Sequence, residues 1–150
     1  MQRNLPVLIA EDNEDDAFLL RRALRNIGVE APVQIVTDGE QVIGYLRGEG
    51  SFADREQFPF PGVLFLDIKM PRLGGFDVLE WVHKHPECHV IPTMMFSSSA
   101  HPDDVKRAYQ SGANAYLVKP ATINELEAVL KKVWDFWLVC ARPPLPERCA

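Results

Sequence analysis

Acids, a hydroxyl and an ammonium stand in this 150-residue chain directly after short apolar runs. Glu11 and Asp12 follow VLIA, Asp67 follows VLFL, Ser97 follows TMMF, and Lys119 follows AYLV. If those runs are neighbouring strands, three carboxylates share one cleft with a hydroxyl and an ammonium. Ionised carboxylates about 4 Å apart repel by about 4 kcal/mol at an effective dielectric near 20. A chain keeps such a cluster by raising a pKa or by binding a cation. All-oxygen donors with room for water suit Mg²⁺. Asp67 beside that ion is a carboxylate nucleophile able to take a phosphoryl group as an aspartyl phosphate. Lys119 supplies a second positive charge to the phosphoryl oxygens, and Ser97 a hydroxyl donor. In the segment KMPRLGG, Lys69 to Gly75, the glycines let the backbone approach closely, and a carbonyl there completes the metal shell.

The elements that would position these groups are short and regular. Leu5–Ala10, Val33–Val36, Val63–Asp67, Val90–Phe96 and Ala115–Val118 read as five strands. Helical patterns lie between and after them. Asn13 caps the first, with acids in its opening turn and apolar residues at Ala17, Leu20, Leu24 and Ile27; Gly28 closes it. Residues 41–47, 76–84 and 101–111 carry the next three, and Thr122 with Glu125 forms a capping box that opens the last. Strands apolar on both faces, alternating with helices, mean a doubly wound α/β domain with a parallel sheet covered on each side. Ligands of such a sheet sit at the C-terminal ends of its strands, where the acids, Ser97 and Lys119 fall.

Length and composition fit one globular domain: 47% of residues are hydrophobic and 25% charged. A net charge of −5 argues against nucleic acid and against an anionic membrane surface as partners. No secretory signal opens the chain, and no apolar run approaches the roughly 20 residues of a membrane span. The cysteines, Cys88, Cys140 and Cys149, are odd in number and lie in no paired motif, which reads as free thiols in a reducing cytoplasm.

The ordered set of Glu11-Asp12, Asp67, KMPRLGG, Ser97 and GANAYLVKP resembles the receiver domain of bacterial two-component response regulators over roughly residues 5–138. The resemblance implies a flavodoxin-like fold with strand order 2-1-3-4-5. It implies that Asp67 accepts a phosphoryl group from a sensor histidine kinase. Asp12, Asp67 and the backbone carbonyl of Lys69 would bind Mg²⁺, with Glu11 acting through a coordinated water. Ser97 falls at the position of the family's hydroxyl, Tyr116 at its switch aromatic, and Lys119 at the lysine that pairs with the phosphoryl oxygens. The Lys119–Pro120 bond would be cis. Phosphorylation would draw the Ser97 hydroxyl inward, Tyr116 would fill the space, and the fourth and fifth helices with the strand between them would present a different surface to an unknown downstream protein. The insertion before the third strand, SSSA after the fourth, and FWLVCARPP are similar to the stand-alone regulators that serve phytochrome-type photoreceptor kinases. In that group the C-terminal helix supports a homodimer.

Residues 1–140 therefore read as the receiver with an extended last helix, and residues 141–150 as a Pro-rich tail. No output region follows, so the expected mode is binding or onward relay rather than catalysis on a substrate. The last helix carries a core stripe at Ile123, Leu126, Leu130, Val133 and Trp137. Trp134, Phe136 and Leu138 fall outside it, to be covered by a second copy or by the tail folding back. The loop over residues 51–61 reads as a flap over the core edge or a partner-binding segment. The tract from His83 to His89 matches no closed zinc spacing, and Pro86 interrupts it. Two other functions compete. A haloacid dehalogenase-type phosphohydrolase would need an acid two residues after its nucleophile, where Lys69 stands. A docking module independent of phosphorylation would be expected to have lost an acid, the lysine or the hydroxyl.

Overall fold

The computed structural model describes residues 5–149. Strands β1 (Val7–Ala10), β2 (Val33–Val36), β3 (Val63–Leu66), β4 (Thr93–Ser97) and β5 (Ala115–Val118) form one sheet in the order β2-β1-β3-β4-β5. Every neighbouring pair is parallel. Helices α1 (Glu14–Asn26), α2 (Gly39–Arg47), α3 (Gly75–His83), α4 (Pro102–Gln110) and α5 (Ile123–Val139) cover the two faces.

β1 and β3 are apolar and buried throughout because both of their faces are covered, whereas the edge strands β2 and β5 are largely half-buried. Val7, Ile9, Val63, Phe65, Met94 and Phe96 point to one layer, where Leu20 and Leu24 of α1 meet Leu126, Leu130 and Trp134 of α5. Leu8, Ala10, Leu64, Leu66 and Met95 point to the other, against Val42 and Tyr45 of α2 and Val78, Leu79 and Val82 of α3. The register aligns the strand ends: Ala10 lies opposite Val36 and Leu66, Leu66 opposite Met95, and Ser97 opposite Val118. Each next residue is then delivered to the same rim. The Asp67 N–H donates to Ala10 O at 3.1 Å, and the Lys119 N–H to Ser97 O at 2.8 Å.

Helix starts are capped by side chains. Asn13, Asp38 and Thr122 accept from the backbone N–H of Asp16, Gln41 and Glu125. The loop over residues 51–61 closes the outer edge of α2. Phe52 and Phe58 pack on the Tyr45 ring, whose hydroxyl donates to Pro59 O at 2.9 Å, and Arg55 lies over Tyr45 and Phe60.

Four expectations are corrected. The Lys119–Pro120 bond, implied to be cis, is trans, like every peptide bond of the described residues. Trans is the intrinsic preference of an X–Pro bond by about 0.5–1 kcal/mol, and Lys119 reaches its partners from that conformation. Cys88 and Cys149 are not free thiols but a disulfide with Cα atoms 5.8 Å apart; Cys140 alone is free. A sequence separation of 61 hides that approach, which the fold-back of the tail creates. Trp134 lies within the buried stripe of α5, at 6% exposure, because the i, i+4, i+8 row Leu126–Leu130–Trp134 faces the sheet while Trp137 is only half-buried. β4 begins at Thr93, since Pro92 has no N–H to give the ladder.

Candidate functional site

The three acids at the rim converge. One carboxylate oxygen from each of Glu11, Asp12 and Asp67 lies within 4.8 Å of the others. Glu11 and Asp67 are buried, Asp12 is exposed. Lys119 enters from the end of β5 and donates to Asp67 Oδ2 at 3.0 Å and to Glu11 Oε1 in a shorter contact. It also donates to Asp16 Oδ2 at 2.8 Å. One ammonium therefore bridges three carboxylates and offsets part of their charge.

The protonation states follow from that crowding. Burial pushes the Glu11 carboxyl up to about 7; the hydrogen bond from Lys119 works against the rise and the neighbouring Asp67 with it. Burial also opposes the charge on Lys119, but the hydrogen bonds to Asp16, Glu11 and Asp67 outweigh it and raise its pKa above the ordinary lysine value. The lysine is charged at every physiological pH.

The turn after β3 aims Asp67. The Ile68 N–H donates to Asp67 Oδ1 at 2.7 Å, fixing the rotation of the carboxylate and leaving Oδ2 toward Lys119. The Gly75 N–H donates to Ile68 O at 2.8 Å, and a Cβ on Gly75 would lie 2.3 Å from Asp67 O. The glycine is needed for close approach. The left-handed backbone of this turn falls on Arg72 instead, at φ 67°, where its guanidinium donates to the buried Asp38 at 2.9 Å. Gly75→Ala is expected to lose about 1–3 kcal/mol of stability, the range of an overpacked site. Urea unfolding with an unchanged slope measures it.

Asp67, Ile68 and Lys69 line a cleft of about 300 Å³ with Ser97, Ser98, Ser99 and Asp104. Of the three serines, Ser97 is buried at the strand end and its Oγ accepts from the Ser99 N–H at 3.2 Å, which leaves its own hydrogen to donate. Ser98 is exposed, and Ser99 Oγ donates to Asp104 Oδ2 at 2.6 Å. Tyr116 is half-buried, and its hydroxyl donates to Ser99 O at 2.8 Å, tying β5 to the loop before α4.

Glu11, Asp12, Asp67, Lys69, Ser97, Tyr116 and Lys119 thus all reach this rim or its edge. Two members had no signal there. Asp16 reads as one of several acids complementing the dipole of α1, and only the packing of that helix beside the end of β5 brings it to Lys119. Asp104 is likewise hidden in the first turn of α4. The tract from His83 to His89 forms no comparable cluster. Among the described residues the only group of three or more potential metal ligands is Glu11, Asp12 and Asp67.

The model for the response regulator receiver domain matches residues 7–131. The chain belongs to that family. Its sheet order is the receiver order, and the following relatives are of comparable size. A structure of response regulator RPA3017, in red light signaling of R. palustris, is 33% identical with a TM-score of 0.88, covering 93% of this chain and 99% of that one. The phosphorylated cyanobacterial phytochrome response regulator RcpA is 31% identical with a TM-score of 0.85, covering 94% and 99%. Response regulator Rcp1 of Synechocystis is 27% identical over 88% of each chain. Its Mn²⁺-bound form superposes with a TM-score of 0.81 at 26% identity, covering 93% and 99%.

The donors of this receiver fit a divalent cation. They are all oxygen, they converge within one ion's reach, and the rim is already organised around the positive charge of Lys119. Metal binding favours ionised Glu11, so the proton it holds below pH 7 must leave. Apparent Mg²⁺ affinity is therefore expected to fall as pH drops through about 7, approaching tenfold per pH unit below it. Without metal the sign is opposite for stability. The contribution of neutral Glu11 is complete below its ordinary value of 4.5 and is lost as pH rises through about 7. Calorimetric titration in buffers of different ionisation enthalpy reads the proton release directly.

Proposed function

We propose that this receiver takes a phosphoryl group on Asp67 from a sensor histidine kinase and thereby switches a partner-binding surface. The observation that carries the reading is Lys119 bridging Glu11, Asp16 and Asp67 at the C-terminal rim of the sheet. Glu11, Asp12, Asp67 and the backbone carbonyl of Lys69 would hold Mg²⁺, which when bound neutralises charge on the phosphoryl oxygens.

Asp67 Oδ2 is the attacking atom, because Oδ1 is committed to the Ile68 N–H. The new P–O bond forms as the bond from phosphorus to the kinase imidazole breaks, and the ring leaves as neutral imidazole, keeping the proton already on its other nitrogen. Lys119, already 3.0 Å from Oδ2, transfers a donor to the incoming oxygens, while Glu11 and Asp16 keep its amine in place. The Ser97 hydroxyl turns toward the same oxygens and gives up its contact with the Ser99 N–H. The loop that carries Ser99 then moves, and with it the Tyr116 hydroxyl held on Ser99 O. The altered face is made by α4 and β5, where Tyr109 and Val118 are exposed.

We read residues 1–140 as the signalling unit. The kinase is of phytochrome type, by likeness to RcpA. Dimerisation uses the end of α5, where Phe136 and Val139 are exposed. Among the described residues no helix is long and apolar enough to cross a membrane. We place the protein in the cytoplasm with the kinase domain that would phosphorylate it. The test is intact mass after incubation with acetyl phosphate and Mg²⁺, and with an autophosphorylated phytochrome-type kinase. One phosphoryl group gained from both donors supports the reading. Gain from neither overturns it; transfer from acetyl phosphate alone overturns the choice of kinase.

A further inference from the structure

The chain after α5 turns back across the N-terminal ends of the strands, the pole opposite the acidic rim. The Arg142 guanidinium donates to Gly62 O, and Leu145 packs on the core cluster that includes Leu46 and Phe60. Arg55 Nε donates to Glu147 O at 2.7 Å, and the Cys149 N–H to Leu46 O at 2.8 Å. The run ends in the disulfide to Cys88, just before β4, with Cys88 at 0% exposure and Cys149 at 1%.

What holds this strap besides the disulfide is thin. Ala141, Pro143, Pro144, Glu147 and Arg148 are exposed, and Cys149 is its one buried residue. Pro143, Pro144 and Pro146 have no N–H to donate. Arg142 Nη1 is buried without a hydrogen-bond partner, which weakens the seat further. A segment with so few contacts opens locally at small cost unless something covalent retains it.

We propose that Cys88 and Cys149 are a reversible thiol–disulfide modification site whose state decides whether residues 141–149 stay on the body of the receiver. The oxidant is a low-molecular-weight disulfide. The Cys149 thiolate attacks it and releases one thiol; the Cys88 thiolate then attacks the mixed disulfide and releases the second. The two cysteines give up two electrons and two protons, and the small disulfide becomes two thiols. Reduction runs the same exchange backwards. The released strap uncovers the buried Cys88 and frees the chain that follows the exposed Phe136 and Val139. The site lies far from Asp67 in the fold, so it is a second input, independent of phosphoryl transfer.

The experiment follows alkylation and amide hydrogen exchange in the full chain, poised with oxidised or reduced glutathione. In the oxidised protein one thiol, Cys140, is expected to label after unfolding, and three in the reduced protein. Exchange in residues 141–149 is expected to accelerate at least about tenfold on reduction, with the amides of β1 and β3 unchanged. Cys149→Ser should exchange like the reduced protein in either buffer, and Cys140→Ser should keep the redox response. Three labelled thiols in the oxidised protein, a disulfide between two chains, or equal exchange of the tail in both states would each overturn the proposal.

Discussion

Asp67→Asn is expected to bring phosphoryl uptake from acetyl phosphate to background while leaving the fold intact. The substitution conserves shape. Its amide oxygen can still accept from the Ile68 N–H, the contact that orients the side chain at 2.7 Å. An amide nitrogen is no nucleophile, and the charge that helps attract the metal is gone, so both uptake and Mg²⁺ affinity should fall together. Stability should change by less than about 1 kcal/mol, because Lys119 retains Glu11 and Asp16 as partners. Uptake surviving at the wild-type rate would move the acceptor to another acid.

Lys119→Met should separate the two tasks of that lysine. In metal-free protein at neutral pH, loss of the ammonium leaves Asp16, Asp67 and Glu11 facing one another, and the substitution should cost about 3 kcal/mol, as when one partner of a buried pair is removed. The side chain is 13% exposed, so water recovers little of that loss. Adding Mg²⁺ should restore most of the stability, and its affinity should exceed that of the wild type, since no competing cation occupies Glu11 and Asp67. Phosphoryl uptake should persist, slowed, with the response of the α4–β5 face lost. Thermal melts with and without Mg²⁺ distinguish this from a simple core defect, in which the metal would restore nothing.

The strand ends were legible because each chemical residue follows an apolar run too regular to be anything but a buried strand. β2 and β5 begin and end where periodicity places them, at Val33–Val36 and Ala115–Val118. The resemblance supplied the order of the strands, which periodicity cannot. Differences arise where local and tertiary forces diverge. Pro6 shortens β1 to Val7 and Pro92 shortens β4 to Thr93, whereas Asp38 extends α2 back to Gly39 by capping the Gln41 N–H. Asp16 could not be told from Glu14 and Asp15, because its distinction is the position of a neighbouring strand end. The disulfide was hidden for the same reason: Cys88 and Cys149 meet only after the tail has crossed the base of the sheet. Trp134 and Trp137 differ by three positions on one helix, and only Trp134 continues the row of Leu126 and Leu130 that faces the sheet.

We propose that the fold gathers these groups so that one side chain, Asp67, is reversibly converted to an acyl phosphate. The most direct measurement is reductive trapping: phosphorylate with acetyl phosphate and Mg²⁺, reduce the acyl phosphate with borohydride, digest, and sequence the peptides by mass spectrometry. Homoserine at position 67 and nowhere else is the expected result. Homoserine at position 12 or 16, or 5-hydroxynorvaline at position 11, in its place, or no reduced residue at all in protein that has gained a phosphoryl group, would contradict it.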